Sequence, residues 1–262
     1  MNYTGGGLYA AWRNYGDVMF LEVCANGARD TSEHPTLSSD PSAVAAECSK
    51  AIAAGAGAVH IHSKNRRGEE SLSATDVDRW VAALRQHCPK VPLGVTTGAW
   101  AMPDVAARLH EIDAWQELPD FASVNWHEDG ADAVAAKLLE RGIGVEAGIW
   151  HEQGLRAWAA SPVRPRCLRV LVEVQDVTPD ETYEVGRSLV DAVHALEPEL
   201  AVLLHGEERS TWAAIELAGR LGLDTRAGLE DCLTLPNGVP AGGNADLVQA
   251  ALSVLTSRSD RT

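Results

Sequence analysis

The alternation of two kinds of segment along this chain governs what it can fold into. Apolar runs suited to buried strands fall at Val18–Cys24, Ala58–His62, Val91–Thr96, Phe121–Asn125, Ile143–Ala147, Leu168–Val174, Ala201–His205 and Thr225–Gly228. Segments of helical pattern follow each of them, at 41–54, 76–87, 103–112, 131–141, 151–160, 179–196, 209–221 and 244–256. The first helix carries clear boundary signals: Asp40 caps it, Pro41 fills its first turn and Gly55 stops it. Strand–helix alternation predicts a parallel sheet, because each helix must carry the chain back to start the next strand in the same direction. Eight such units in about 250 residues is the size of a (β/α)8 TIM barrel. The barrel is expected over 18–262, with 1–17 as an N-terminal extension able to pack on a neighbouring subunit. The alternative is an open doubly wound sheet. However, Asn26-Gly27-Ala28-Arg29 after the first strand does not form a G-x-G-x-x-G turn, and no Walker A sequence is present.

Charge and cysteine usage narrow the partners. The 262 residues carry a formal net charge of −15, which argues against nucleic acid and anionic membrane surfaces as partners. No apolar run approaches the ~20 residues that span a bilayer, and no basic-then-apolar leader pattern opens the sequence. Cys24, Cys48, Cys88, Cys167 and Cys232 are scattered and odd in number, as expected for free thiols in a reducing cytoplasm.

The second strand ends in His60-Ile61-His62. Alternate strand residues share a face, so both imidazoles project together. An isolated H-x-H can merely end a strand, but in a TIM barrel the C-terminal strand ends carry the chemistry. Polar residues collect at those ends here: Thr96, Ser123 and Asn125, then Glu146, Glu173 and His205, then the turn from Arg226 to Asp231. In a closed barrel strands two and eight both flank strand one, so Glu230 can approach His60 and His62. Two histidines, one carboxylate and open positions form a catalytic zinc set. Trp100, Trp126 and Trp150 follow strands three to five and either wall a pocket or pack the rim. Lys64, Arg66 and Arg67 form a basic spot that is either solvated or able to attract phosphates.

Several pieces of the chain together resemble the β-keto acid cleavage enzymes. They are Asn26-Gly-Ala28, Ala54-Gly-Ala-Gly-Ala-Val-His-Ile-His62, Thr96-Thr-Gly98, Ser123-Val-Asn125, Val145-Glu146, Arg226-Ala-Gly-Leu-Glu-Asp231 and Asn244-Ala-Asp-Leu-Val248, in family order. The resemblance implies a zinc-bearing (β/α)8 barrel that cleaves a β-keto acid with acetyl-CoA as co-substrate, giving acetoacetate and a new acyl-CoA. By position it implies His60, His62 and Glu230 as metal ligands for Zn2+, Arg226 and Asp231 as the catalytic pair, and Thr96, Ser123 and Asn125 as substrate-binding residues. It also implies a homo-oligomer, a dimer or a tetramer.

Three departures bear on the substrate. Arg29 stands where a family member acting on an amino substrate has glutamate, so Arg29 is expected to bind the substrate's distal end and to favour an acidic or neutral polar tail over an amine. The other reading turns Arg29 to solvent or to the local acidic residues Asp30 and Glu33. Gly148 replaces a second family glutamate. Val174-Gln-Asp-Val-Thr178 leads straight into a helix where the family has a glycine-rich segment. Two other functions remain open at this point: a metal-dependent hydrolase or aldolase on the same barrel, and a non-catalytic barrel that binds a metal or metabolite.

Overall fold

The structure, a computed structural model, describes residues 19–257. The expected N-terminal extension, and Val18 of the expected first strand, lie outside the described residues. Eight parallel strands form the sheet: β1 (Leu21–Cys24), β2 (Ala58–Ile61), β3 (Leu93–Thr96), β4 (Phe121–Asn125), β5 (Gly144–Ile149), β6 (Arg169–Val174), β7 (Val202–Gly206) and β8 (Thr225–Ala227). Eight α-helices alternate with them among the described residues: α1 (Pro41–Ala53), α2 (Ala74–His87), α3 (Val105–Ala114), α4 (Ala131–Glu140), α5 (Glu152–Ala159), α6 (Pro179–Leu196), α7 (Thr211–Leu221) and α8 (Asn244–Thr256). The strand order is β7-β6-β5-β4-β3-β2-β1-β8. A parallel bridge between Leu203 and Asp224 closes the ring. The Leu204 amide donates to the Asp224 carbonyl at 2.9 Å, and the Thr225 hydroxyl donates to the Leu204 carbonyl at 2.7 Å. The chain is therefore the (β/α)8 barrel that the alternation predicted.

Local chemistry sets the element boundaries. Asp40 accepts from the Ser42 amide at 3.0 Å, with Pro41 in the first turn of α1. Thr178 and Glu181 cap α6 reciprocally, which satisfies two amides that a helix start leaves without partners. Helix α3 begins at Val105 rather than Pro103, because Asp104 takes the cap by accepting from the Ala107 amide. A 3-10 turn over Glu208–Ser210 precedes α7, so that helix starts two residues later than its pattern suggested. Strand β5 runs on to Ile149, where Gly148 pairs with both Asn125 and Leu171.

The outward faces of the strands, including Val23, Val59, Ile61, Val95 and Val145, are buried under the helices. Burial of each such side chain contributes about 1.5–3 kcal/mol. The barrel interior is layered. Phe20, Ala58, Phe121 and Leu168 form an apolar plug near the N-terminal end. Above it lie three fully buried ionisable side chains: Arg169 is paired with Glu22 and Glu146. The Arg169 guanidinium also stacks over the rings of Phe20 and Phe121 at 5.1 and 5.4 Å. Burial and the neighbouring Glu146 push the Glu22 carboxyl up to about 8, against the pull of Arg169. The C-terminal layer above these side chains holds the polar residues considered next.

Candidate active site

His60 lies in β2 and His62 one residue beyond it, with ring centroids 5.4 Å apart. Asn26, after β1, fixes this end of the chain. Its amide nitrogen donates to the His62 carbonyl at 2.8 Å, and its oxygen accepts from the His62 amide at 2.9 Å, so the side chain continues the ladder between β1 and β2. Asn244 performs a similar task at the β8 turn, accepting from the Leu229 amide at 2.9 Å and donating to the Ala25 carbonyl at 3.0 Å. Gly27 adopts φ +53°, and a Cβ there would lie 2.5 Å from Glu230 Cγ. A side chain at 27 would thus displace Glu230, so glycine serves both the turn and the approach.

These devices bring Glu230 to the two histidines. His62 Nε2 lies 3.4 Å from Glu230 Oε1, and ring nitrogens of His60 and His62 and a carboxylate oxygen of Glu230 all fall within 4.8 Å of one another. Glu230 Oε2 is buried without a hydrogen-bond partner among the described residues. A buried carboxylate oxygen left without a donor, facing two imidazoles, is the donor set a divalent cation requires. The residues present therefore fit a metal. His62 Nδ1 bonds the Glu70 carboxylate, which turns Nε2 toward Glu230. The sequence reading missed Glu70. The available signal was its place eight residues after His62, beyond a tight turn, where Glu70 and Lys64 form an antiparallel bridge.

The electrostatics sort the groups. Burial pushes the His60 imidazolium down to about 3, so His60 is neutral and its lone pair is free. Burial also disfavours charge on His62, but the Glu230 and Glu70 carboxylates overrule it and raise His62 to about 9. Burial would raise Glu230, yet Arg226 and the two histidines hold it well below the usual carboxylate range. Asp231 is likewise held down against burial, chiefly by Arg226.

Arg226 grips both carboxylates. Its Nη2 lies 2.7 Å from Asp231 Oδ1 and 2.9 Å from Glu230 Oε1, and its Nε donates to Asp231 Oδ2 at 3.2 Å and to His205 Nδ1 at 3.1 Å. The Cys24 thiol donates to Asp231 Oδ2 at 3.1 Å. Adjacent in sequence, the two carboxylates diverge: Glu230 turns to the histidines and Asp231 to Cys24 and His205.

A cavity of about 430 Å³ opens above this floor. Thr96, Ser123 and Asn125 line it, as do Arg29, Arg226 and Asp231, so every substrate-binding and catalytic residue singled out in the sequence reaches the same space. Asn125 is oriented by Glu128, whose Oε1 accepts from the amide nitrogen at 3.0 Å. Glu128 is itself anchored by the buried Arg108 at 2.9 Å. A Cβ at Gly148 would lie 2.3 Å from Asn125 Oδ1, so the missing side chain at 148 makes room for the amide oxygen of Asn125.

Arg29 lines the cavity but is tied on every side. Its Nε donates to the Leu229 carbonyl at 2.5 Å, Nη1 pairs with Glu33 at 3.0 Å and Nη2 with Glu208 at 2.5 Å. Of the two sequence readings, the pairing with Glu33 is present, and Glu208 adds a second anion that the sequence did not suggest. Trp100 and Trp150 wall the cavity, with Trp100 stacked on His62 at 6.0 Å. Trp126 is buried elsewhere and donates to Asp132 at 3.1 Å. Lys64 is buried and spent on the Arg29 carbonyl, which leaves Arg66 and Arg67 as the exposed part of the basic spot.

A sequence profile of the beta-keto acid cleavage enzymes matches residues 19–261. The chain is 24% identical over 247 residues to the 3-keto-5-aminohexanoate cleavage enzyme of Fusobacterium nucleatum subsp. nucleatum, covering 88% of each protein. Among solved structures it is similar to ObcA in a ternary complex with a C4-CoA adduct and oxalate, with a TM-score of 0.66 and 19% identity. That match covers 86% of this chain but only 65% of the ObcA chain. The tryptophan synthase alpha chain of Legionella pneumophila shares the barrel over 98% of both chains, with a TM-score of 0.62 and 9% identity.

Proposed function

The chain belongs to the beta-keto acid cleavage enzyme family, whose members cleave carbon–carbon bonds of β-keto acids, and on that premise we propose that it is a zinc-dependent acyltransferase using acetyl-CoA. The observation that carries this reading is the divergence of Glu230 and Asp231, both gripped by Arg226: one carboxylate meets two imidazoles and the other stays available at the cavity floor. His60, His62 and Glu230 would hold Zn2+, which when bound supplies Lewis-acid polarisation of the substrate's oxygens.

The chain's own residues account for the rest. Asp231, kept ionised by Arg226, takes a proton from the carbon between the substrate's ketone and carboxylate. Ser123 and Thr96 present hydroxyls to the oxygens on which negative charge develops, and Asn125 orients the substrate from the β4 end. The carbanion attacks the acetyl carbonyl of acetyl-CoA and the thiolate of CoA leaves. That thiolate then attacks the substrate's original ketone. The bond between this carbonyl and the central carbon breaks, giving a new acyl-CoA, and Asp231 returns the proton to the carbanion to give acetoacetate. Arg226 balances the charge on Asp231 in both directions. The wall of Trp100 and Trp150 excludes water that would hydrolyse the thioester.

The test is incubation with acetyl-CoA and a panel of β-keto acids, read by mass spectrometry. Acetoacetate formed together with the matching acyl-CoA is expected. Consumption of β-keto acid without acetyl-CoA would replace acyl transfer with a hydrolase or aldolase reaction. Binding without turnover across the panel would overturn the proposal.

A further inference from the structure

His62 and His60 are supported differently. The outer ring nitrogen of His62 meets Glu70 at the barrel mouth. His60 Nδ1 is completely buried and has no hydrogen-bond partner among the described residues. Glu22 Oε1 and Glu146 Oε2 are among the other buried atoms that lack a hydrogen-bond partner among the described residues. Both glutamates are fully buried, and the register of β1 sets Glu22 beside Ala58, two residues before His60. A ring nitrogen of His60 and one carboxylate oxygen from each glutamate lie within 4.8 Å of one another.

This group is not a second cation site, since a cation already occupies it. Arg169 bonds Glu146 Oε1 and Glu22 Oε2, using one oxygen of each carboxylate. The two remaining oxygens are the orphaned ones. Three buried groups that converge, each with a polar atom lacking a hydrogen-bond partner among the described residues, complement one another: the imidazole Nδ1 can carry a proton and a carboxyl oxygen can accept it.

We propose that Glu22 and Glu146 are positioning residues for His60, holding its Nδ1–H through a bridging water and so turning Nε2 toward the cavity floor, as Glu70 does directly for His62. The inference rests on the reading of His60, His62 and Glu230 as metal ligands. The spacing suits one bridging water, which would accept from the imidazole N–H and donate to both carboxylates. A neutral histidine that ligates through one nitrogen gains basicity and a fixed ring plane when its other nitrogen donates to a carboxylate. The buried ion cluster thus has a task beyond filling the barrel: it transmits the placement of Arg169 to the metal site above.

The test measures metal binding rather than turnover. Zinc affinity is measured by chelator competition for the wild type, Glu22→Gln and Glu146→Gln, and cobalt-loaded protein is examined by visible absorption. Each substitution is expected to weaken affinity by roughly 10-fold or more and to shift the cobalt bands, because the ring of His60 loses its orientation. Affinity within twofold of wild type with unchanged bands would overturn the proposal. Should the variants fold poorly, the zinc-loaded wild type decides the matter by histidine-selective 15N NMR, with His60→Gln assigning the resonance. A proton on His60 Nδ1, slow to exchange, is expected, whereas metal at Nδ1 and a proton at Nε2 would refute the assignment. A wild type that binds no zinc would overturn the metal reading itself, and this inference with it.

Discussion

Replacing Asp231 by asparagine separates the two carboxylates of the β8 turn. In the native site Asp231 accepts from Arg226 Nη2 at 2.7 Å, from Arg226 Nε at 3.2 Å and from the Cys24 thiol at 3.1 Å. Asparagine can keep its oxygen on Nη2, but its NH2 group then faces two donors, Nε and the thiol. Breaking a buried ion pair costs about 3–5 kcal/mol. Arg226 retains Glu230 at 2.9 Å, so the lower end applies, about 3 kcal/mol, or roughly a 6–12 °C fall in Tm for a domain of this size. The kinetic loss should be larger than any folding defect at 25 °C explains: removing a general base lowers kcat by about 10²-fold or more. Metal content should persist, because Asp231 turns to Cys24 and His205 and is not in the group that His60, His62 and Glu230 form. Glu230→Gln should do the reverse and lose metal together with activity. The assay pairs elemental analysis with turnover of one β-keto acid and acetyl-CoA well below both melting temperatures. Near-normal turnover in Asp231→Asn, or loss of zinc from that variant rather than from Glu230→Gln, would refute the division of labour.

The other expectations are narrower. Arg29→Ala should weaken metal binding rather than change tail preference, since Arg29 Nε holds the Leu229 carbonyl beside Glu230; a variant with native zinc affinity and altered preference among β-keto acids would reverse that view. Gly148→Ala should raise KM with metal retained, because its Cβ would meet Asn125 Oδ1 at 2.3 Å, and an unchanged KM would show that Asn125 does not hold substrate. With His62 raised to about 9 in the metal-free protein, chiefly by Glu230 against the effect of burial, a metal must displace a proton below that pH. Apparent zinc affinity should therefore climb through pH 6–8 and level off near 9, and a flat titration would contradict it. The stability that protonated His62 gives the metal-free fold has the opposite sign: it is full below about 6.5 and lost as pH rises through about 9.

How much of this was legible in the sequence depends on how local each constraint is. The barrel could be read because each strand and helix announces itself within a few residues, and parallel order then follows from alternation alone. His60 and His62 could be read because two residues on one strand share a face whatever surrounds them. Glu230 needed only the closure that makes strands two and eight flank strand one, and the structure supplies it through the registers Cys24 with His60 and Glu22 with Arg226. Contacts joining distant segments through side chains could not be read. The pairing of Arg29 with Glu208 spans 179 residues and depends on the 3-10 turn before α7, which places Glu208 at φ 49°. Glu22 gave no signal at all, because a charged residue inside a four-residue strand looks like a flaw until Arg169, 147 residues later, is seen to lie across the barrel from it. Gly148 was read as a loss, yet it is half of an exchange: the side chain missing there makes space that the Asn125 amide fills, and Glu128 sets which way that amide points. A single position compared with a family pattern shows that something changed. The neighbours that fill the space show what the site now offers a substrate.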